Sequence, residues 1–208
     1  MSDFSDFCAQ IAEWANRQDW SQALVTSFVR MAEQKFNAEL RVDRMICNAQ
    51  NTVTQRCATL PDNWLAMDLV QIENTNVPSG FAPIRYLARD EFFNLPDKYT
   101  VRYYTIEGRS IFFGGAPDDV EGREFTIAYF GEVPVFSDTQ QSWLYTKYPS
   151  LYLHAALMHA DLHAVGEEQN AGNMKQLTED EIQKLNALYL RSKASGSRVT
   201  RTRSRSFG

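Results

Sequence analysis

The sequence predicts an α+β protein in which a helical bundle of about four helices carries an inserted small antiparallel β region. Apolar residues recur at intervals of three and four near both ends of the 208-residue chain, a spacing typical of amphipathic helices. In the middle of the chain, short runs alternate between apolar and polar residues and are separated by turn-forming residues, as in strands. The last residues are rich in arginine and serine, so we expect a disordered or extended basic C-terminal tail.

The bundle is organised around the segment 148–165, which reads YPSLYLHAALMHADLHAV. This segment is apolar round most of its circumference, as is typical of a helix packed on several sides. Pro149 suits the first helical position, because its missing N–H has no partner within the helix there. Gly166 suits the residue at which the chain leaves the helix. We therefore predict a central helix over 149–165. One core face of this helix consists of Leu151, Ala155, Met158, Leu162 and Val165.

Three further helices are predicted to pack around the central one. They cover residues 3–16, 21–40 and 178–194. Ser21 suits the N-cap of the second helix. Thr178 and Glu181 form a capping box, a pair that opens a helix, so we place the start of the last helix there. The apolar face of that helix consists of Ile182, Leu185, Leu188 and Tyr189.

The inserted β region covers about residues 50–135. Strands are predicted at Trp64–Glu73, Pro83–Leu87, Tyr99–Thr105, Ser110–Phe113 and Glu124–Phe130. Glu107 and Gly108 form the turn of a hairpin, and Asp90 is expected to cap a single helical turn. The aromatic residues of this region come as adjacent pairs. Because neighbours in a strand face opposite sides, one member of each pair points away from the core of the sheet.

Charge is distributed unevenly along the chain, whose formal net charge is -5. From Arg191 onward there are six basic residues and no acidic one, so a basic tail follows an acidic body. We therefore predict one domain over 1–194 and a tail over 195–208.

Cysteine content and hydropathy favour a cytosolic product without a membrane partner. Cys8, Cys47 and Cys57 are odd in number and lack the spacing of metal ligands, which favours reduced thiols. The opening residues MSDFSDFCAQ lack the basic and apolar segments of a secretory signal. No apolar run approaches the roughly 18 residues needed to cross a membrane.

No pattern in the chain argues for an enzyme or a cofactor. His159 and His163 are four apart, so they share a helical face that a metal ion can use. Ala160, however, stands where the metalloprotease pattern requires glutamate. The acidic run 118–124 favours a solvated turn over a divalent-metal nuclease, because no catalytic lysine follows it. We therefore predict no catalytic, cofactor-binding or metal-binding residue.

Three stretches of the chain carry a family resemblance. The first, residues 12–45, contains a polar NRQD joint between two helices. The second comprises PDNWLAMDLVQI (61–72), IRYLARDEFFNL (84–95) and RYYTIEGRSIFFGGAP (102–117). The third, residues 125–160, leads from a strand through a polar loop into the central helix. In this order they resemble the head-to-tail adaptor (connector) proteins of tailed bacteriophages.

The resemblance implies a virion structural protein of the neck, the head–tail junction, that is made in the host cytoplasm and has no catalysis and no cofactor. It implies a homo-oligomeric ring of about a dozen copies, a dodecamer, that docks under the portal protein and links the DNA-filled head to the tail. The ring forms part of the DNA channel, through which DNA passes without sequence-specific binding, and a further tail or nozzle protein binds below it. The C-terminal segment is the implied portal-docking element. Its residues are Arg198, Val199, Arg201, Arg203, Arg205 and Phe207.

The resemblance and the local pattern disagree about the last helix. The family has one long helix after the central one, whereas Gly172 and the cap at Thr178 indicate a break. The last helix therefore begins anywhere from Glu167 to Thr178.

Two other functions fit parts of the sequence. The Arg-rich tail suits a nucleic-acid-binding regulatory protein, for which we expect tight and salt-sensitive binding to duplex DNA. A metal-dependent hydrolase that uses His159 and His163 ranks third. The adaptor remains the leading interpretation.

Overall fold

The structure, a computed structural model, describes residues 4–74, 76–78, 80–94, 101–164 and 168–196. These residues form two compact units. The β unit is Arg44–Glu132, and the helical unit consists of the described residues on either side of it. Within the described ranges, no helix is both long and apolar enough to cross a membrane. The prediction of one domain over 1–194 stays a prediction.

In chain order, the elements are α1 (Phe4–Trp14), α2 (Gln22–Glu39), a 3-10 turn (Asp43–Met45), β1 (Ile46–Thr52), β2 (Cys57–Thr59), β3 (Trp64–Glu73), β4 (Phe81–Pro83), β5 (Arg85–Tyr86), α3 (Arg89–Phe93), β6 (Tyr103–Glu107), β7 (Ser110–Phe113), α4 (Pro117–Val120), β8 (Glu124–Gly131), α5 (Trp143–Lys147), α6 (Pro149–His163) and α7 (Glu168–Gly196).

Helix α6 lies at the centre of the helical unit, where it contacts α1, α2, α5 and α7. Pro149 is its first residue, as expected from the missing N–H. In α2, the N–H of Leu24 donates to the Ser21 hydroxyl at 3.3 Å, so Ser21 is the N-cap. The apolar circumference of α6 is buried by these four neighbours.

The predicted core face of α6 divides in the structure. Leu151, Ala155 and Met158 are buried, whereas Leu162 is 64% exposed and Val165 lies outside the described residues. The helical repeat places Leu162 on the same side as Met158. Burial in the last turn depends, however, on which neighbours reach that far, and a repeat in one segment does not contain that information.

The β unit contains two four-stranded sheets around its own core. One sheet has the order β1-β8-β3-β4 and is antiparallel throughout. The other has the order β2-β7-β6-β5, in which only the pair β5–β6 is parallel. Gly108, at φ +60°, turns the chain between β6 and β7. The core of the unit consists of Val53, Leu60, Val70, Ile72, Ile84, Val101, Tyr104, Ile111, Phe113, Val120, Phe125, Ile127 and Tyr129.

The predicted fold class, a helical bundle with a small inserted β region, is wrong. The chain is α+β, but its β part is a compact unit of two sheets rather than a small insertion. Strand β1 was not predicted, because its sequence ICNAQNT lacks alternation and has strand-forming residues only at its ends, Ile46 and Thr52. It is a strand because all seven of its residues pair with β8, about 78 positions further along the chain. Local patterns do not report such distant pairing.

The last helix begins at Glu168, inside the range from Glu167 to Thr178 that the sequence left open, so its placement at 178–194 from the Thr178 cap is wrong. Helix α7 runs continuously from Glu168, and the Thr178 hydroxyl donates to the carbonyl of Met174 at 2.8 Å within it. Threonine in a helix interior often bonds back to the preceding turn in this way. The long helix that the family resemblance implied is therefore present. Residues 165–167, which include Gly166, lie outside the described residues.

Three details of the predicted β region change. The helical turn after Leu87 begins at Ala88, which makes no side-chain cap, so Asp90 is not the N-cap. The predicted strand Pro83–Leu87 is replaced by β4 and β5, which belong to different sheets. Strand β6 begins at Tyr103, and residues 95–100 lie outside the described residues.

Candidate docking surface at the end of helix α7

The last turns of α7 are held against the C-terminal end of α2. The Asn186 side chain accepts from the N–H of Arg41 at 2.7 Å and donates to the carbonyl of Glu39 at 2.8 Å. Backbone groups at a helix end need such partners, because the helix itself supplies none. Tyr189 is buried one turn later, and Ser192 donates to Asp43 at 3.4 Å. The direction of α7 as it leaves the unit is therefore set by α2.

Apolar and basic side chains of these turns lie in solvent on both flanks of the buried Tyr189, because Leu188 and Leu190, two positions apart, are about 200° apart around the helix axis. Leu188 is 57% exposed and Leu190 is 63% exposed. Arg191 is exposed next to them, and Lys193 lies over the Tyr189 ring at 5.7 Å. We call Leu188, Leu190 and Arg191 the α7 end surface. Exposed leucines beside a basic residue suit a protein contact better than a catalytic role.

Leu188 belongs to the predicted apolar face of the last helix, but its side chain is exposed in the structure. Tyr189 and Ile182 from the same predicted face are buried, whereas Leu185 is half-buried. The buried positions cluster on one side of the helix that excludes Leu188, since each residue advances the helix by about 100°. One signal in the sequence is Leu190, because it is apolar but does not belong to the predicted apolar face.

The predicted docking tail follows directly from this surface. Residues 197–208, which contain the four tail arginines, Val199 and Phe207, lie outside the described residues. The structure thus describes the position from which the tail departs, the C-terminal end of α7, and says nothing of the tail itself.

A buried carboxylate joins the segment after the β unit to α2. Glu33 is 4% exposed, and its Oε1 accepts from the N–H of Phe136 at 2.7 Å and from the Tyr152 hydroxyl at 3.3 Å. Its Oε2 accepts from Arg30 at 2.6 Å, and Arg30 also donates to the carbonyl of Phe136 at 3.0 Å. We call these groups the Glu33 network. The network supplies hydrogen-bond donors to the buried Glu33 carboxylate and fixes the path of the chain into α5 and α6.

Burial raises the pKa of the Tyr152 hydroxyl, and the Glu33 carboxylate beside it raises it further. Tyr152 is therefore neutral and available as a donor. Its ring packs edge-on against Phe36 at 5.0 Å and against Tyr145 at 5.8 Å. This neighbourhood is a satisfied structural network, not an acid–base site.

The histidines of α6 do not converge on a common point. His163 packs on the rings of Trp20 and Phe28, with centroids 6.1 and 5.6 Å away. Burial lowers the pKa of His159, and the positive charge of Lys35 lowers it further. A cation near His159 opposes the binding of a second one. Among the described residues, no group of three histidine, cysteine or acidic side chains has the geometry of a metal site.

The strand rule holds for only some of the adjacent aromatic pairs of the β unit, because Tyr129 and Phe130 of β8 are both buried and Phe92 and Phe93 belong to helix α3. Phe92 and Phe113 are buried, while Phe93 is exposed and contacts Phe112 at 6.2 Å. Tyr86, outside these pairs, is exposed as well. Each of the three cysteines has a free thiol.

Comparison with known proteins gives one result over almost the whole chain. Residues 2–205 match the family model described as SU10 adaptor protein. No curated protein matches the chain.

Proposed function

Because the chain belongs to the SU10 adaptor protein family, a family of phage head–tail adaptors, we propose that its copies form a ring that docks under the portal protein. Membership makes the chain a bacteriophage structural protein of the head–tail junction, with partners among head and tail components. In our proposal, the ring has about twelve copies, lines part of the DNA channel and binds a further tail protein below. The family match carries this proposal.

The α7 end surface and the tail are the proposed contact with the portal. The leucines at 188 and 190 are exposed on a helix end that Asn186 and Tyr189 hold in place. The tail then adds four arginines within residues 198–205. Arginine suits this role because its planar guanidinium pairs with a carboxylate through two hydrogen bonds. The proposed contact thus combines the exposed leucines of a fixed helix end with a basic segment, and the complementary partner surface is acidic.

The charge of the body supports a channel role. The acidic residues of the chain outnumber the basic ones, 26 to 21, although six basic residues lie from Arg191 onward. An acidic wall lets DNA phosphates pass without holding them, because binding to DNA depends on cationic contacts that release counterions. Sequence-specific binding to DNA is not part of the proposal.

The test is to delete residues 197–208 and mix the shortened protein with portal-bearing capsids that lack the adaptor. We expect the shortened protein to melt like the full chain but to fail to join the capsids in a sedimentation assay. A matched control replaces the four tail arginines by glutamine and keeps the length of the tail. Efficient joining by both variants would exclude the tail from docking.

A second pair, Leu188→Ser and Leu177→Ser, compares the α7 end surface with another exposed leucine of the same helix.

A further inference from the structure

Among the residues that the structure describes, no strand pairs with the outer side of β1, and this edge lacks the usual protection. It lies at the end of the order β1-β8-β3-β4 and has seven residues, ICNAQNT, with no proline and no charge. Natural proteins generally shorten such edges or place lysine, glutamate or proline on them. The other edges here follow that rule, because β2, β4 and β5 have two or three residues and β4 ends in Pro83. β1 is therefore the edge on which an extended segment can pair.

The backbone groups that face outward can be assigned from the ladder. The N–H of Val53 donates to the carbonyl of Arg123 at 2.9 Å, so residue 53 faces β8. Successive residues of an antiparallel strand direct their backbone groups to opposite sides, so Asn48 and Gln50 direct theirs away from β8. Both residues are exposed, and their outward groups have no hydrogen-bond partner in the described part of the chain.

The edge has a defined end. Thr52, the next outward residue, has its N–H bonded to the side chain of Asn51 at 2.8 Å. A further strand therefore finds no free backbone donor at Thr52. The free outward groups are thus two donors and two acceptors over residues 48–50, with Ile46 continuing the same side.

One carboxylate, Glu124, lies beside the free edge, and a second, Glu121, lies near its end at residue 55, outside β1. Glu124 accepts from the Gln50 side chain at 2.8 Å, and Glu121 accepts from the N–H of Gln55 at 2.6 Å. Neither carboxylate forms an ion pair within the residues that the structure describes. A basic segment is therefore the complementary occupant, since each arginine gains a charged acceptor that is not already neutralised.

On the core face of the edge, a pocket of about 330 Å³ opens next to β1. It is lined by Ala49, Asn51, Thr59, Leu60, Phe125 and Ile127, among others. Side chains of an added strand alternate between this pocket and the Glu124 carboxylate, because neighbours in a strand point to opposite faces. The occupant must therefore alternate small side chains with basic ones.

The C-terminal tail has this alternation. From Val199 to Phe207, the odd positions are Val, Arg, Arg, Arg and Phe, and the even positions are Thr, Thr, Ser and Ser. Twelve residues follow Gly196, enough to reach about 40 Å when extended. No described edge strand other than β1 is longer than three residues. The β1 edge of a second copy carries the same Glu124 carboxylate, so two β1 edges side by side bring like charges together, whereas the basic tail does not.

We propose that, in the free protein, the β1 edge binds the tail of a second copy as an added strand, with the arginines on the face that carries Glu124. This inference uses the tail that the proposed function assigns to the portal, and it concerns the state before docking. Strand addition supplies main-chain hydrogen bonds for affinity and alternate side chains for selectivity.

The first test measures self-association of the full chain by sedimentation at low salt, with Asn48→Pro and Asn48→Ala as a matched pair. Proline removes an outward N–H that the fold does not use, and it is tolerated at sheet edges. We expect the wild type and Asn48→Ala to associate as concentration rises and Asn48→Pro to stay monomeric. A monomeric wild type, or equal association of all three proteins, would overturn the proposal.

The second test leaves the protein unchanged and does not depend on the folding of a variant. A synthetic peptide of residues 195–208 is added as competitor, either unmodified or N-methylated at alternate residues. In one form the methyl groups lie on positions 200, 202 and 204, and in the other on 201, 203 and 205. The unmodified peptide and one methylated form should inhibit self-association at a concentration at least tenfold lower than the other methylated form requires. Equal potency of the two methylated forms would contradict strand pairing.

The two proposals fail separately. Asn48→Pro should still join portal-bearing capsids, whereas deletion of 197–208 should not. If the deleted protein joins, the portal contact is refuted, and the sedimentation result for Asn48→Pro still decides the β1 edge.

Discussion

Glu33 illustrates how a charge is kept inside the helical unit. Its two oxygens accept from Arg30, from the N–H of Phe136 and from the Tyr152 hydroxyl. A buried carboxylate without partners would be costly, whereas one with partners ties together segments that are distant in the chain. Here it joins residues about 100 positions apart, at the point where the chain returns from the β unit.

Glu33→Ala should destabilise the protein by about 2–4 kcal/mol, because it leaves the N–H of Phe136 and the charge of Arg30 without their acceptor. Glu39→Ala is the matched control. Glu39 belongs to the same helix but forms an exposed pair with Lys35, so its loss should cost about 0.5 kcal/mol or less. Urea unfolding of both variants measures the difference. Equal midpoints would show that the Glu33 network does not stabilise the fold.

His159 should make stability depend on pH. Burial and Lys35 lower its pKa in the folded protein from the ordinary value of 6.5. Between the lowered pKa and 6.5, the unfolded chain binds more protons than the folded one, so the free energy of unfolding decreases as pH falls through this range. In His159→Gln this part of the decrease should disappear. Melting temperatures of both proteins from pH 7.5 to 5 give the comparison, and parallel curves would contradict it.

At the scale of elements, α6 and α7 show what periodicity predicts and what it misses. The repeat in α6 correctly indicated burial at Leu151, Ala155 and Met158, because packing selects apolar residues at helical spacing. It did not distinguish Leu162, which has the right spacing but is exposed. Burial at the end of a helix is a property of the neighbours, not of the repeat.

Leu157→Ala and Met158→Ala should each destabilise the protein by about 2–5 kcal/mol, since both side chains are buried in α6. Leu162→Ala removes a side chain of similar size from the same helix, but at 64% exposure it should change stability by about 0.5 kcal/mol or less. Thermal melts of the three variants separate core from surface. A large loss in Leu162→Ala would place that residue in the core after all.

Gly172→Ala should stabilise the protein by about 0.5–1 kcal/mol. Gly172 lies within α7, and a Cβ added there meets no atom within 4 Å, so alanine gains helix propensity without a clash. Gly131→Ala is the opposite case, because the added Cβ lies 2.9 Å from both Asn63 Nδ2 and Cys47 Sγ. That variant should lose about 1–3 kcal/mol. If Gly172→Ala melted lower than the wild type, α7 would be broken at that position.

Predictability from sequence also differed among the strands. Trp64–Glu73 and Ser110–Phe113 were predicted with the bounds observed for β3 and β7, because they contain strand-formers between clear turns. The strands β1 and β2 were missed, since Asn, Gln, Cys and Ala have little strand preference and their pairing partners lie more than 50 residues away. The β unit is larger than predicted because it also contains these two strands.

The candidate site was predictable only in part. The basic tail is visible in the composition, because six basic residues without an acid stand out in an acidic chain. The α7 end surface was not visible, since it depends on Asn186 and Tyr189 fixing the rotation of α7 against α2. Rotation of a helix about its axis is decided by tertiary contacts.

At the scale of the whole molecule, each of the two units supplies a different proposed contact surface. The helical unit presents the α7 end surface and the tail, and the β unit offers the free edge of β1. The family assignment covers both, because the matched residues run from 2 to 205. The two proposals therefore use different surfaces, one on each unit.

The measurement that tests the central claim most directly is a cryo-electron microscopy map of the phage neck with this chain traced in it. We expect a ring of this chain directly below the portal, with the α7 end surface and the arginines of the tail in contact with portal carboxylates. A map in which the chain lies elsewhere in the particle, or in which the portal meets the tail without it, would contradict the account.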